Sequence, residues 1–122
     1  MAATDTSEIS FWKTHPNCRV RVVGNGKRMT MLYAVAQPGA EVPEHEHPHE
    51  QMGYCLQGEA TFRMGGKTVL VKKGYTYLIP PNTLHSSKIT GKEEYIVIEA
   101  FSPARPDLLR GEFAPEKLSR VK

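Results

Sequence analysis

Long hydrophobic runs are missing from this chain. No stretch approaches the ~18 apolar residues that a membrane-crossing helix needs, so no membrane partner is expected. Cysteine is scarce as well. Cys18 and Cys55 are the only two and form no CxxC arrangement, which fits free thiols in a reducing compartment and argues against a disulfide framework. The start, MAATDTSEIS, lacks the basic and apolar regions of a secretory leader, and a cytoplasmic location is expected. Charge of one sign does not dominate either: 16 lysines and arginines against 13 acidic residues leave a net +3. The basic residues are scattered without interleaved aromatics, so no nucleic-acid partner is expected. Repeats and low-complexity tracts are absent, and no segment before residue 102 sustains a helical period.

What is present is a series of short strand-like runs cut by glycine and proline. CRVRVV (18–23), MTMLYAVA (29–36), a run from Val42 to His47, QMGYCL (51–56), ATFRM (60–64), KTVLV (67–71), TYLIP (76–80), HSSKI (85–89) and EYIVIEAF (94–101) follow one another. Gly65-Gly66 reads as a two-residue hairpin turn. This spacing predicts an all-β single domain, an antiparallel barrel or sandwich. The expected organisation is an N-terminal extension over 1–17 with its first ten residues frayed, the barrel over 18–101, and a tail over 102–122. That tail is proline-broken and irregular, with a short helix from Pro115.

One segment carries chemistry. PEHEHPHEQ, residues 43–51, holds three of the five histidines in the chain. On a strand, alternation sends His45 and His47 to the same side, and two imidazoles on one face are half of a metal site. Pro48 ends that strand, so His49 leaves the alternation and reads as a turn residue or a neighbour of the ligands. The strand that runs back would turn Gln51, Gly53 and Cys55 inward. A further ligand must come from elsewhere; the remaining histidines are His15, in a polar stretch and expected to be exposed, and His85. Glu46 and Glu50 are either solvated or hydrogen-bonded to a ligand imidazole. Cys55 reads as a small inward core residue, with a thiol beside the metal as the other possibility.

Gly39, five residues, His45-Glu46-His47, three residues, Gln51, six residues and Gly58 resemble the first cupin motif. Gly74, five residues, Pro80, and then His85 resemble the second. The resemblance implies a jelly-roll β-barrel with one divalent transition metal (Ni, Zn, Mn, Fe or Co) held by His45, His47, Gln51 and His85. Gln51 stands where most cupins have glutamate, which leaves a bound ion one charge more positive and better suited to an anion. Asn82 stands in place of a glycine, in a turn that asparagine tolerates, and Ile89 replaces a late asparagine.

HPHEQMGYCLQGEATFRMGG, GYTYLIPPNTLH and EAFSPARPDLL are similar to the small single-domain cupins of the KdgF type. The similarity implies pectin or alginate degradation: opening of 4,5-unsaturated uronates, small anionic sugars, to linear 4-deoxy-5-ketouronates. Alternation puts Glu99 on the inward face with Val97 and Phe101. The resemblance implies Glu99 as the acid/base, where the KdgF type has aspartate, Phe101 as an aromatic flanking the pocket and Arg105 as the uronate clamp. The competing readings are a core phenylalanine and a surface arginine pairing with Asp107. Two other function classes stay open. One is another metal cupin enzyme, a dioxygenase or a lyase using tyrosines among Tyr33, Tyr54, Tyr75, Tyr77 and Tyr95. The other is a non-catalytic ligand-binding module. Finally, MGYCLQ turns Met52, Tyr54 and Leu56 outward, an apolar face expected to be covered by the N-terminal strands or by a second subunit in a homodimer.

Overall fold

A computed structural model describes residues 3–109 and 120–121. Its strands are β1 (Phe11–His15), β2 (Cys18–Asn25), β3 (Thr30–Ala36), β4 (Glu41–His45), β5 (Glu50–Gln57), β6 (Glu59–Met64), β7 (Lys67–Lys72), β8 (Thr76–Ile79), β9 (His85–Ile89), β10 (Tyr95–Ser102) and β11 (Arg120–Val121). They form two antiparallel sheets, β11-β1-β2-β3-β10-β5-β8 and β4-β9-β6-β7, the jelly-roll arrangement expected of an all-β chain. The β6–β7 hairpin turns through Gly65 and Gly66 at φ +54° and +84°, values that side-chain-bearing residues resist.

Cross-strand register stacks the inward residues in layers about 7 Å apart, two strand residues per layer. Gln51 and Phe101 face each other in the first layer, with Ile79 beyond Gln51 and Thr30 beyond Phe101. The second aligns Leu32, Glu99, Gly53 and Tyr77. The third aligns Val20, Ala34, Val97 and Cys55 and is wholly apolar. Gln51, Glu99 and Tyr77 therefore lie in the upper two layers, beside apolar core residues that include Ala60, Phe62, Val71 and Ile79.

Two expectations need correction. The stretch expected as an extension contributes a strand: β1 pairs with β2, and Phe11–Val121 and Trp12–Arg120 pair on its other edge. Its five residues are too short and too polar at Lys13–His15 to show a period. Ahead of it, Thr6–Glu8 form a 3₁₀ turn whose Ser7 N–H donates to Asp5. Second, β4 stops at His45, so alternation does not place His47. Proline is tolerated within this strand at Pro43 because β4 is an edge strand.

Directly after β10 the described residues add one short element. Residues Pro106–Leu109 form a single helical turn, α1, with proline at its first position; the helix expected from Pro115 lies outside the described residues. Leu108 is 1 % exposed in a second cluster with Val20, Leu32 and Phe101. Burying one leucine contributes roughly 1.5–3 kcal/mol, enough to fix so short a segment. The buried Thr30 hydroxyl accepts from the Arg105 N–H at 2.8 Å and donates to Asn25 at 2.7 Å, tying the tail to the β2–β3 turn.

Candidate metal centre

His45 and His85 are register partners on β4 and β9, and their ring centroids are 4.2 Å apart. His47 reaches them from the loop after β4, where the N–H of Asn82, itself at φ +58°, donates to the His47 carbonyl at 2.9 Å. One turn thus positions both motifs: the left-handed Asn82 holds His47, and β9 begins three residues later at His85. One ligand atom from each of His45, His47 and His85 lies within 4.8 Å of the others.

Each imidazole is fixed by a backbone carbonyl. Nδ1 of His45 meets Pro43 O at 2.8 Å, Nδ1 of His47 meets His49 O at 3.1 Å, and Nδ1 of His85 meets Thr83 O at 2.8 Å. A carbonyl only accepts, so each Nδ1 carries the proton and each Nε2 presents a lone pair. Glu46 and Glu50 play no part in this and stay exposed. His49 contributes its carbonyl rather than its ring, which lies 5.5 Å from the His47 ring. His15 is half-buried rather than exposed and lines the cavity. Cys55 is buried, with its thiol donating to the Gln57 carbonyl at 3.3 Å rather than joining the cluster.

Gln51 lies beside the three imidazoles. Its Nε2 donates to Glu99 Oε2 at 2.5 Å, which turns Oε1 toward the imidazoles. Oε1 then lies 3.0 Å from His47 Nε2. Burial, then the Arg105 charge and His85, pull the His47 imidazole down to about 4, so it is neutral at pH 7. Two lone pairs therefore face each other with no hydrogen between them. His85 Nε2 is buried without a partner among the described residues, and burial holds that imidazole low as well. Converging acceptors without a proton repel one another unless a cation joins them. The residues present fit a divalent metal.

Below and beside the cluster is a cavity of about 650 Å³. Glu99 lies in its wall, and burial raises the carboxyl above its ordinary range, with Tyr77, Gln51 and Arg105 offsetting part of the shift. Tyr77 O–H donates to the same Oε2 that Gln51 contacts. Burial, reinforced by Glu99, raises the Tyr77 phenol well above its usual value, so it keeps its proton. Phe101 is 4 % exposed and serves both readings: it belongs to the second core cluster, and it walls the cavity with its ring 5.8 Å from that of His47. The Arg105 guanidinium lies 4.9 Å over the Phe101 ring and pairs with Asp107 at 3.0 Å. Its side chain is only 14 % exposed, so this is not a surface pair, and its buried Nε has no partner among the described residues.

Tyr77 is the residue whose place in the site could not be read from the sequence, where it was one tyrosine among five. The signal that would have found it is Gly53, a glycine at an inward position of a strand, which marks a close approach from a neighbour.

Comparison with known proteins agrees with this architecture. KdgF from a Halomonas species superposes with a TM-score of 0.82 at 23 % identity, over 88 % of this chain and 98 % of that one. An RmlC-like cupin from Shewanella frigidimarina gives 0.80 at 22 % identity, over 88 % and 96 %. The Cnp3 cupin domain of Schizosaccharomyces pombe gives 0.75 at 16 % identity, over 91 % and 78 %. At such identities the likeness is one of fold. A family model for the cupin domain matches residues 32–101, a span that holds His45, His47, Gln51, His85 and Glu99. This chain belongs to the cupin domain family.

Proposed function

We propose that this protein is a metal-dependent enzyme that opens 4,5-unsaturated uronates to linear 4-deoxy-5-ketouronates. The observation that carries the reading is a carboxyl group, Glu99, held within hydrogen-bonding distance of the candidate ligand Gln51 and facing a cavity that also contains Arg105. A divalent cation held by His45, His47, Gln51 and His85 supplies Lewis acidity and a positive charge for a carboxylate. The neutral donor set leaves that charge undiminished, which favours an anionic substrate.

The chain's own residues account for the rest. Arg105 offers a guanidinium to the uronate carboxylate, and Phe101 forms the wall against which the ring lies. Opening requires removal of the anomeric hydroxyl proton, formation of C1=O, cleavage of the C1–O5 bond, and delivery of a proton to C4 as C5 becomes a ketone. One proton leaves and one arrives, so the reaction is an isomerisation. Glu99 Oε2 is occupied by two donors, which leaves Oε1 to accept the first proton and deliver the second. Turnover removes the C4=C5 bond conjugated with the carboxylate. The test is loss of its ultraviolet absorbance when metal-loaded protein is added to unsaturated uronate monomers. A rate no faster than the spontaneous one for all such monomers would exclude the reading.

We further propose that the protein works in the cytoplasm as a homodimer. Met52 and Tyr54 are 52 % and 47 % exposed, so the N-terminal strands do not cover them. Register aligns Leu78, Met52, Ala100 and Met31 in one outward rib across β8, β5, β10 and β3. A second copy of the same sheet buries an apolar rib of this kind. Light scattering is expected to give twice the 13.7 kDa chain mass at micromolar concentration; the chain mass itself would refute the dimer.

A further inference from the structure

Tyr77, Gly53 and Glu99 form one row across β8, β5 and β10. The middle position has no side chain. A Cβ built on Gly53 would overlap the Tyr77 ring itself, at Cζ, Cε2 and the hydroxyl. The phenol therefore crosses over β5 through the gap that glycine leaves and reaches Glu99 from the far side. There its O–H and the Gln51 amide N–H donate to a single atom, Glu99 Oε2.

We propose that Tyr77 and Glu99 act as positioning residues for the metal centre: together they aim the Gln51 oxygen at the cation and so set the strength of metal binding. The argument runs through the amide. A glutamine side chain presents a donor at one end and an acceptor at the other, and its two faces are nearly alike in shape. A group that presents an acceptor oxygen at the contact, held there by a second donor, fixes which end faces the histidines. Glu99 Oε2 is such a group, and it stays one because Tyr77 also donates to it. Without Tyr77 the carboxylate is free to rotate; without the carboxylate the amide is free to turn its N–H toward the histidines. An N–H is no ligand for a cation. The same geometry explains why glutamine suits position 51 in this chain. A glutamate there would set two carboxylates against each other across 2.5 Å, and one of them would have to carry a proton.

This rests on the cluster being a metal centre but not on the uronate reaction, so the test reads metal affinity. Full-length apoprotein is titrated with Zn²⁺ against a competing chromophoric chelator. Tyr77→Phe and Glu99→Leu are each expected to weaken binding about 10–100-fold, the usual loss when a partner of a metal ligand is removed. Glu99→Gln keeps an acceptor oxygen for the Gln51 N–H and is expected to bind close to the parent value. This rescue separates aiming from mere packing, which would not distinguish leucine from glutamine by affinity. Should Tyr77→Phe fail to fold, the Glu99→Leu and Glu99→Gln pair decides. Parent-like affinity in Tyr77→Phe overturns the part given to Tyr77, and parent-like affinity in Glu99→Leu overturns the whole. A parent that binds no Zn²⁺ removes the metal reading and this proposal together.

Discussion

Glu99→Gln is expected to lower turnover of an unsaturated uronate by ~10²–10⁴-fold, the usual contribution of a positioned acid or base. The protein should still bind one equivalent of metal at saturating concentration. The two halves of this expectation come from different atoms. An amide at position 99 offers an oxygen to the Gln51 N–H, as the carboxylate now does through Oε2. It cannot take a proton from a hydroxyl and return it to carbon. Burial keeps the Glu99 carboxyl above its ordinary range, which brings its affinity for a proton closer to that of the groups it would serve. Stopped assays with metal-loaded variant and parent, paired with elemental analysis of both, check the expectation. Full activity in the variant would remove Glu99 from the reaction even if the ring opening stands.

The second large effect is expected from His85→Ala, which should abolish metal binding. His85 is 3 % exposed and its Nε2 has no partner among the described residues, and removing it takes away one of the three clustered imidazoles. The loss has a readout that needs no substrate. A metal that binds only the folded protein stabilises it by about 2.7 kcal/mol at a hundred times its dissociation constant. For a domain of this size that is a rise of roughly 10 °C in melting temperature. The parent should show the rise on addition of Zn²⁺ and lose it with a chelator; His85→Ala should show neither. Equal rises in both proteins would place the metal elsewhere.

Sequence and structure meet most closely where information is local. The Gly65-Gly66 turn, the span of β9 and the inward parity of Glu99 each depend on a few neighbouring residues, and all were legible. The convergence of His45, His47 and His85 was also legible, but partly for the wrong reason. Alternation was expected to align His45 with His47, whereas β4 ends at His45 and the Asn82 turn brings His47 back. The pairing of His45 with His85 is a contact between strands forty residues apart, which periodicity cannot see. Tyr77 was lost for the same reason: its partner across the gap at Gly53 is fixed by register among three strands. In the tail, a single buried leucine and the Thr30 hydroxyl fix the first residues after β10 through contacts with distant segments, which its prolines do not announce.

The carbonyls that hold the three imidazoles belong to residues 43, 49 and 83 and are main-chain groups. Every amino acid supplies one. The tautomers of the centre are thus inherited from the path of the backbone, and mutation of the surrounding side chains does not disturb them. Lineages of such a chain can exchange the residues in the layer beneath, Glu99, Tyr77 and their neighbours, together with the amide at position 51 that they orient, and arrive at a different reaction with the three imidazole donors unchanged. A fold that separates its lasting part from its variable part in this way is a durable starting point for new chemistry.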